Sequence, residues 1–357
     1  MSNANGTDPS TVGDIPPELA AKIAKRGGSA TIYDIAELAG VNPSTVSRAL
    51  SKPGRISQKT ESKIKAAADR LDFHFNPMAR GLHTGRSHTL GLLVADITNP
   101  VIFGIVRGAE HAASAAGYTL VIAESQESGD AEAEAISRLL PSVDGIVLAT
   151  TRLSDERISS VASRKPVVLI NRPVEGVLSV LPDVETGVDA LVDHLAGLGH
   201  RSLLYLSGPE TSWISRRRWD HLLQTAADRD LAIVEVGPHS PTIEAGKLAL
   251  RRVLAARSTA VIAFNDLMAI GLIQAATSAG IRVPEDLSVT GFDDIFGSEL
   301  IVPALTTVRA RLQTAGESAV AHLVELIDGG TPASNDLLET TLIVRDSTGP
   351  HQQRGPH

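Results

Sequence analysis

The chain has 357 residues, 43% of them hydrophobic, and a formal net charge of −8 at pH 7, which allows two or three domains with a large core. It contains no cysteine, which excludes a disulfide framework and a thiolate metal site. No run of eighteen apolar residues and no apolar stretch near the N-terminus is present, so neither membrane insertion nor secretion is expected and the cytoplasm is the expected compartment.

The charge is unevenly placed. Residues 30–88 hold nine Lys/Arg against five Asp/Glu, whereas residues 89–357 carry a net −12. Basic charge gathered at one end suits contact with phosphates, although a solvated helical face would look similar. Residues 1–29 are rich in Ser, Asn, Thr, Gly and Pro and are expected to be a disordered tail. Within them Pro17-Glu-Leu-Ala-Ala-Lys-Ile-Ala-Lys-Arg26 has the composition of a short helix, but a solvated tail is the favoured reading.

The stretch Thr31-Ile-Tyr-Asp-Ile-Ala-Glu-Leu-Ala-Gly40-Val-Asn-Pro-Ser-Thr-Val-Ser-Arg48-Ala-Leu50 predicts two short helices crossing steeply. Ala36 is small where the axes approach, Gly40 tolerates a positive φ in the turn, and Val46 anchors the second helix on the first. Thr31 with Asp34 caps the first helix, and Asn42-Pro43 supplies an N-cap and a proline at N1 for the second. This is a helix-turn-helix pattern, with an ordinary αα-hairpin as the bland alternative. A third helix is predicted from Ser57, with Ile64, Ala67, Ala68 and Leu71 as its apolar stripe. Asn76-Pro-Met-Ala-Arg-Gly-Leu82-His-Thr-Gly85 then predicts about two helical turns ending on a glycine. So short a helix, weakened further by Gly81, is expected to fold only against a partner.

From residue 88 the pattern changes. Apolar runs of strand length at 90–95, 118–123, 145–149, 167–170, 203–206, 233–236, 260–264 and 287–291 alternate with helical stretches near 100–116, 129–140, 185–198, 215–229, 243–256, 266–279 and 311–328. Continuous apolar strands with helical crossovers imply parallel sheets covered on both faces, here eight strands in two subdomains. Ligands of such folds sit beyond the strand C-termini. No Gly-x-Gly-x-x-Gly after a strand, no phosphate-loop motif, no Gly-x-Ser-x-Gly and no His-Glu-x-x-His occurs, and the eleven histidines are scattered. Neither an enzyme nor a cofactor or metal site is expected. His194 and His200 are placed on a helix and at its end.

Residues 31–50 and 76–86 resemble the lactose/galactose repressor (LacI/GalR) family. So do Thr89-Leu-Gly-Leu-Leu-Val-Ala-Asp-Ile-Thr-Asn-Pro100, Val289-Thr-Gly-Phe-Asp-Asp294, Pro303-Ala-Leu-Thr-Thr-Val308 and Leu342-Ile-Val-Arg-Asp-Ser-Thr348, all in one register from about residue 30 to 348. The resemblance implies a DNA-binding head at 30–75, a hinge helix and linker at 76–87, a bilobed periplasmic-binding-protein-like core at 88–349, and a disordered tail at 350–357. It also implies a dimer on an inverted-repeat, double-stranded DNA operator. The absence of C-terminal leucine heptads argues against a coiled-coil tetramer.

Carried over residue by residue, Pro43, Ser44 and Arg48 would read base edges, Arg48 by bidentate pairing with guanine. Thr31, Tyr33, Thr45, Ser47, Arg55 and Ser57 match phosphate-contacting positions, with capping or packing the alternative for Tyr33 and Thr45. Asn76 starts the linker helix, Ala79 would face the minor-groove floor, and Leu82 would wedge between base pairs, or else touch its own core. Two departures stand here: Ser51 where relatives often have Asn, and Phe75 where they usually have Pro. For the effector, Asn171, Arg218, Asn265 and Asp293 are the matching positions, joined by Ile102. Trp213 is either a stacking ring or a core residue. Amide, guanidinium and carboxylate around a cleft suit a sugar or polyol. Val101 and Ile102 replace the aromatics common after Asn-Pro, which disfavours a purine sandwich, and Asn171 replaces a common Asp. Asp266 and Asp294 are read as structural. The expected function is a ligand-responsive transcriptional regulator, with a transport solute-binding protein and an α/β enzyme as the alternatives. Release and tightening by the effector are equally compatible with it.

Overall fold

The computed structural model describes residues 14–51, 55–73, 86–332 and 334–351. Two compact units divide the chain, Met1–Gly85 and Arg86–His357. In the first, α2 (Ile32–Ala39), α3 (Pro43–Ser51) and α4 (Gln58–Arg70) form the expected three-helix head. Gly40 ends α2 at φ +63°, and the Val41 amide returns to the Ala36 carbonyl at 3.0 Å. Ile35, Val46, Ile64 and Ala67 are buried at the centre. The three larger ones each contribute roughly 1.5–3 kcal/mol by leaving water.

The expected solvated tail is corrected here. Pro17–Lys25 is a helix, α1. Its Leu19 is fully buried, Ile23 packs on the head's core, and Arg26 just beyond it donates to buried Asp34 at 2.6 Å. Leu19 and Ile23 lie four residues apart and so share a helix face, a stripe too short to stand out from its polar flanks. Burial alone would raise the pKa of Asp34. Hydrogen bonds from Thr31 and Arg26 outweigh it and hold the carboxyl below its ordinary value. Asn76, Ala79 and Leu82, with the rest of 74–85, lie outside the described residues, as do 1–13. The linker expected at 76–87 is shortened at its far end. Arg86 donates to Asp328 (2.5 Å) and to the Ile327 carbonyl, while the Ser87 amide and hydroxyl donate to Asp144, so both residues belong to the core.

The core has two lobes. The first runs β1 (Thr89–Val94), α5 (Val101–Ala115), β2 (Thr119–Glu124), α6 (Gly129–Leu139), β3 (Gly145–Ala149), α7 (Asp155–Ala162), β4 (Val167–Ile170) and β5 (Leu178–Pro182). The second runs α8 (Val184–Gly197), β6 (Ser202–Leu206), α9 (Trp213–Asp228), β7 (Ala232–Val236), α10 (Ile243–Ala255), β8 (Ala260–Ala263), α11 (Asp266–Ser278), β9 (Ser288–Asp293) and β10 (Thr306–Ala310). The chain then returns to the first lobe with α12 (Leu312–Ile327) and β11 (Asp336–Leu338), and ends in the second with β12 (Thr340–Ile343). Strand orders are β11-β5-β4-β3-β1-β2 and β12-β10-β9-β8-β6-β7, parallel throughout except β10 with β12. The chain therefore passes between lobes at 182–184, 310–312 and 338–340.

All eight expected strands form, but twelve are present among the described residues. The unexpected ones are β5, β10, β11 and β12, and α7 was also unforeseen. β10 buries Thr306 and Thr307 with Val308 as its one buried aliphatic residue, β11 has three residues, and α7 buries only Ile158. β10 and β11 carry no apolar period, and α7 carries a single helical repeat, Ile158, Val161 and Ala162. His194 lies on α8 and His200 follows it, as expected. The expected tail at 350–357 is also corrected at its start: the His351 amide donates to the Leu198 carbonyl at 2.9 Å. Residues 352–357 lie outside the described residues. Among the described residues no helix is long and apolar enough to cross a membrane.

Candidate functional site

In the head, α3 turns Val46 and Ala49 inward, which leaves Ser44 and Arg48, one turn apart, exposed on the same face. Pro43, Thr45 and Ser47 are half-buried beside them. Tyr33 is 70% exposed, so it has no packing role. Thr31 and Ser57 both have internal work. The Thr31 hydroxyl donates to Asp34 at 2.7 Å, and Ser57 Oγ accepts from the Thr60 amide at the start of α4. Arg55 is exposed. The exposed face of α3 thus bears one guanidinium and a hydroxyl, and Arg55 adds a second exposed guanidinium to the head. Such a face can meet base edges and phosphates together.

In the core, the strand orders place β1 between β2 and β3, and β6 between β7 and β8, so that each lobe opens a crevice beyond its strand C-termini. The two crevices form one cavity. Ile102, Asn171, Arg218, Asn265 and Asp293 all line it, whereas Trp213 does not. Arg218 is buried between aromatic faces, its guanidinium 4.0 Å from the Phe292 ring centroid and 5.3 Å from that of Phe264. It donates to the Phe264 carbonyl at 2.6 Å and approaches Asp293 Oδ1 at 3.4 Å. Burial pushes the Asp293 carboxyl above its ordinary value, and Arg218 opposes that shift. Asn265 caps α11, accepting from the Met268 amide and donating to the Pro241 carbonyl, so its hydrogen-bonding atoms are partly committed.

Asp266, the next residue, holds the neighbouring loop rather than lining the cavity. It accepts from the Ser298 and Thr307 hydroxyls, each at 2.6 Å, and from the Ile295 amide. Burial first, then the charge of Asp293, pushes its carboxyl up to about 7. A Cβ on Gly291 would stand 2.2 Å from Asp266 Oδ1, which explains the glycine of Gly-Phe-Asp-Asp. Asp294 pairs with Arg309 and Arg345, a structural role as expected.

Residues 31–76 match the family described as bacterial regulatory proteins, lacI family, and residues 192–348 match the periplasmic binding protein-like domain. The HTH-type transcriptional repressor CytR of Escherichia coli (strain K12) is 30% identical over 336 residues, covering 92% of this chain and 98% of its own length. This chain belongs to the LacI family. A second relative of this LacI-family protein, the ribose operon repressor of Bacillus subtilis (strain 168), is 32% identical over 84% of the chain and 92% of its own length. Among solved structures, the Lac repressor dimer bound to operator and the anti-inducer ONPF matches with a TM-score of 0.81 and 27% identity, covering 90% of this chain and 99% of that one.

The LacI-family cavity also contains groups not singled out from sequence, chiefly Asp96, Glu127, Thr150 and Arg152. Arg152 is buried, donates from Nε to Glu127 at 2.7 Å and to the Thr150 carbonyl at 2.9 Å, and so fixes a second guanidinium opposite Arg218's lobe. A signal for them exists in the backbone. Glu127, Thr150, Asn171 and Asp293 all have positive φ (61°, 60°, 66° and 104°) although none is glycine. Strained conformations gathered at strand ends around one cavity mark a functional site. The enclosed volume is about 50 Å³, room for a few waters at roughly 10–15 Å³ each. That space is smaller than a hexose ring.

Proposed function

We propose that this chain is a cytoplasmic transcriptional repressor that binds an inverted-repeat operator as a homodimer and changes its hold on that DNA when a sugar or related polyol binds between the core lobes. What carries the reading is one chain with an exposed Ser44/Arg48 helix face in its head and a buried guanidinium–carboxylate pair, Arg218 and Asp293, lining an interlobe cavity. Pro43, Ser44 and Arg48 read base edges in this proposal. Thr31, Tyr33, Thr45, Ser47, Arg55 and Ser57 fix register on phosphates. Asn76, Ala79 and Leu82 meet the minor groove in this proposal, where Leu82 partly unstacks a base step.

Asn171, Arg218, Asn265 and Asp293 supply donors and acceptors for vicinal hydroxyls, with Ile102 as an apolar wall. The too-small cavity supports coupling. A ligand that requires parted lobes has different affinities for the two core conformations, and such differential affinity shifts an equilibrium. The relatives named above are transcriptional repressors, and the ribose operon repressor's name supports a carbohydrate effector. Enrichment of bound sites from random DNA, with and without sugars, tests the proposal. It expects a palindromic motif whose recovery changes when the effector is added. A motif without dyad symmetry would overturn the dimer, and recovery indifferent to every sugar and polyol would overturn the effector class.

A further inference from the structure

Trp213 stands apart from the inner cavity yet lines an adjoining pocket of about 280 Å³ at the mouth of the same cleft. The inner cavity and this outer pocket adjoin, with Arg152 and Ser212 in the walls of both. Both lobes contribute walls: Arg152, Leu153 and Arg172 from the first, Trp213, Arg216 and Glu210 from the second. The indole is half-buried and packed on the second lobe's core, and it lines both this pocket and a neighbouring one beside Arg217 and Asp220.

The charges favour a neutral occupant. Arg152 is neutralised by Glu127, and Arg172 donates to Asp155 at 2.5 Å. Arg216 and Glu210, opposite in sign, have no ion-pair partner among the described residues and line the same pocket. An aromatic face with guanidinium and carboxylate groups around it, and no net charge, suits a glycosyl ring. The ring's C–H face stacks on the indole while its hydroxyls pair with the charged groups. Resting on the sugar reading above, we propose that the effector spans two subsites. One saccharide unit lies between Arg218 and Asn171, and a second lies on Trp213 beside Arg216. A two-ring ligand then touches both lobes twice, so its length as well as its chemistry selects it.

The test is calorimetric titration of the full-length protein with ribose, glucose and galactose, with cellobiose, maltose and lactose, and with glucose 6-phosphate. The chain has two tryptophans, so a Trp219→Phe variant leaves Trp213 as the sole reporter. The proposal expects at least one disaccharide to bind more tightly than its component monosaccharide and to shift the Trp213 emission. Trp213→Leu, which keeps apolar packing, and Arg216→Gln, which alters an exposed side chain, should each cut the disaccharide-to-monosaccharide affinity ratio about fivefold to tenfold. Trp213→Tyr should restore part of it. Monosaccharide binding with no disaccharide advantage and silent Trp213 emission overturns the second subsite while leaving the sugar reading standing. Glucose 6-phosphate binding tighter than glucose, and weakened by Arg216→Gln, overturns the neutral occupant in favour of an anion. No binding by any probe overturns both.

Discussion

One imidazole should make the second lobe pH-sensitive. His200 is buried, with Nδ1 2.8 Å from Thr259 Oγ1 and Nε2 3.0 Å from Ser288 Oγ and 3.1 Å from the Gly349 carbonyl. Burial holds its pKa down at about 4, well below the ordinary 6.5. Because the folded value is depressed, the unfolded chain binds more protons between pH 6.5 and 4, so stability is full above 6.5 and falls with pH through that window. At about 1.4 kcal/mol per pH unit, the loss is about 2 kcal/mol by pH 5 and about 3 by pH 4. Asp266 acts in the opposite sense. Its carboxyl is raised to about 7 in the fold, so its contribution strengthens as pH falls below 7.

The comparison that isolates His200 is therefore wild type against His200→Gln, an amide that does not titrate. Urea unfolding followed by tryptophan emission reports this lobe, since Trp213 and Trp219 both lie on α9. The stability difference between the two proteins should shrink by about 2 kcal/mol from pH 7 to pH 5, with distant groups cancelling. Parallel curves over that range would refute the reasoning.

Arg48→Ala should lose about 1–3 kcal/mol of discrimination between operator and random DNA while salt-sensitive nonspecific binding persists; competition binding measures it, and retained preference removes Arg48 from base reading. Arg218→Ala leaves Asp293 buried without its cation and should destabilise the core by about 3–5 kcal/mol. Adding Asp293→Asn should recover part of that, and simple additivity in the unfolding free energies would show the pair uncoupled. Leu19→Ala should release α1 and cost the head about 2–4 kcal/mol; hydrogen exchange in α2 of the full chain should quicken, and unchanged protection would mean α1 is not docked. Gly291→Ala forces a methyl against Asp266 Oδ1 and should cost about 1–3 kcal/mol by thermal unfolding, with a neutral result showing that the loop yields freely.

The head was legible because its determinants are local. A glycine that must take positive φ, caps at Thr31 and Ser57, and the stripe Ile64, Ala67, Ala68 and Leu71 all act within a few residues of one another. The eight expected strands were equally legible as apolar runs: burial on both faces explains the run in the inner strands, while the edge strands β2 and β7 keep an apolar run that is largely exposed. β10 escaped notice because two of its three buried residues are threonines, whose partners Asp266 and Ser347 lie far along the chain. β11 has three residues, too few for a period, and α7 offers one apolar repeat, Ile158, Val161 and Ala162, among charged and serine residues. Docking of α1 turned on two side chains, Leu19 and Ile23, and a partner for Asp34 that only the folded head brings within reach.

The same division holds for the cavity. The family resemblance was enough to bring forward Asn171, Arg218, Asn265 and Asp293. They could not show that Arg152 meets Glu127 across twenty-five residues, or that Trp213 stands at the mouth rather than inside. Local backbone chemistry and apolar periodicity belong to short segments, so the amino-acid order determined the elements and the kind of fold. Which charges face one another depends on strand order and on three passages between lobes. Those are set by packing over the whole core, and only the tertiary structure decided them.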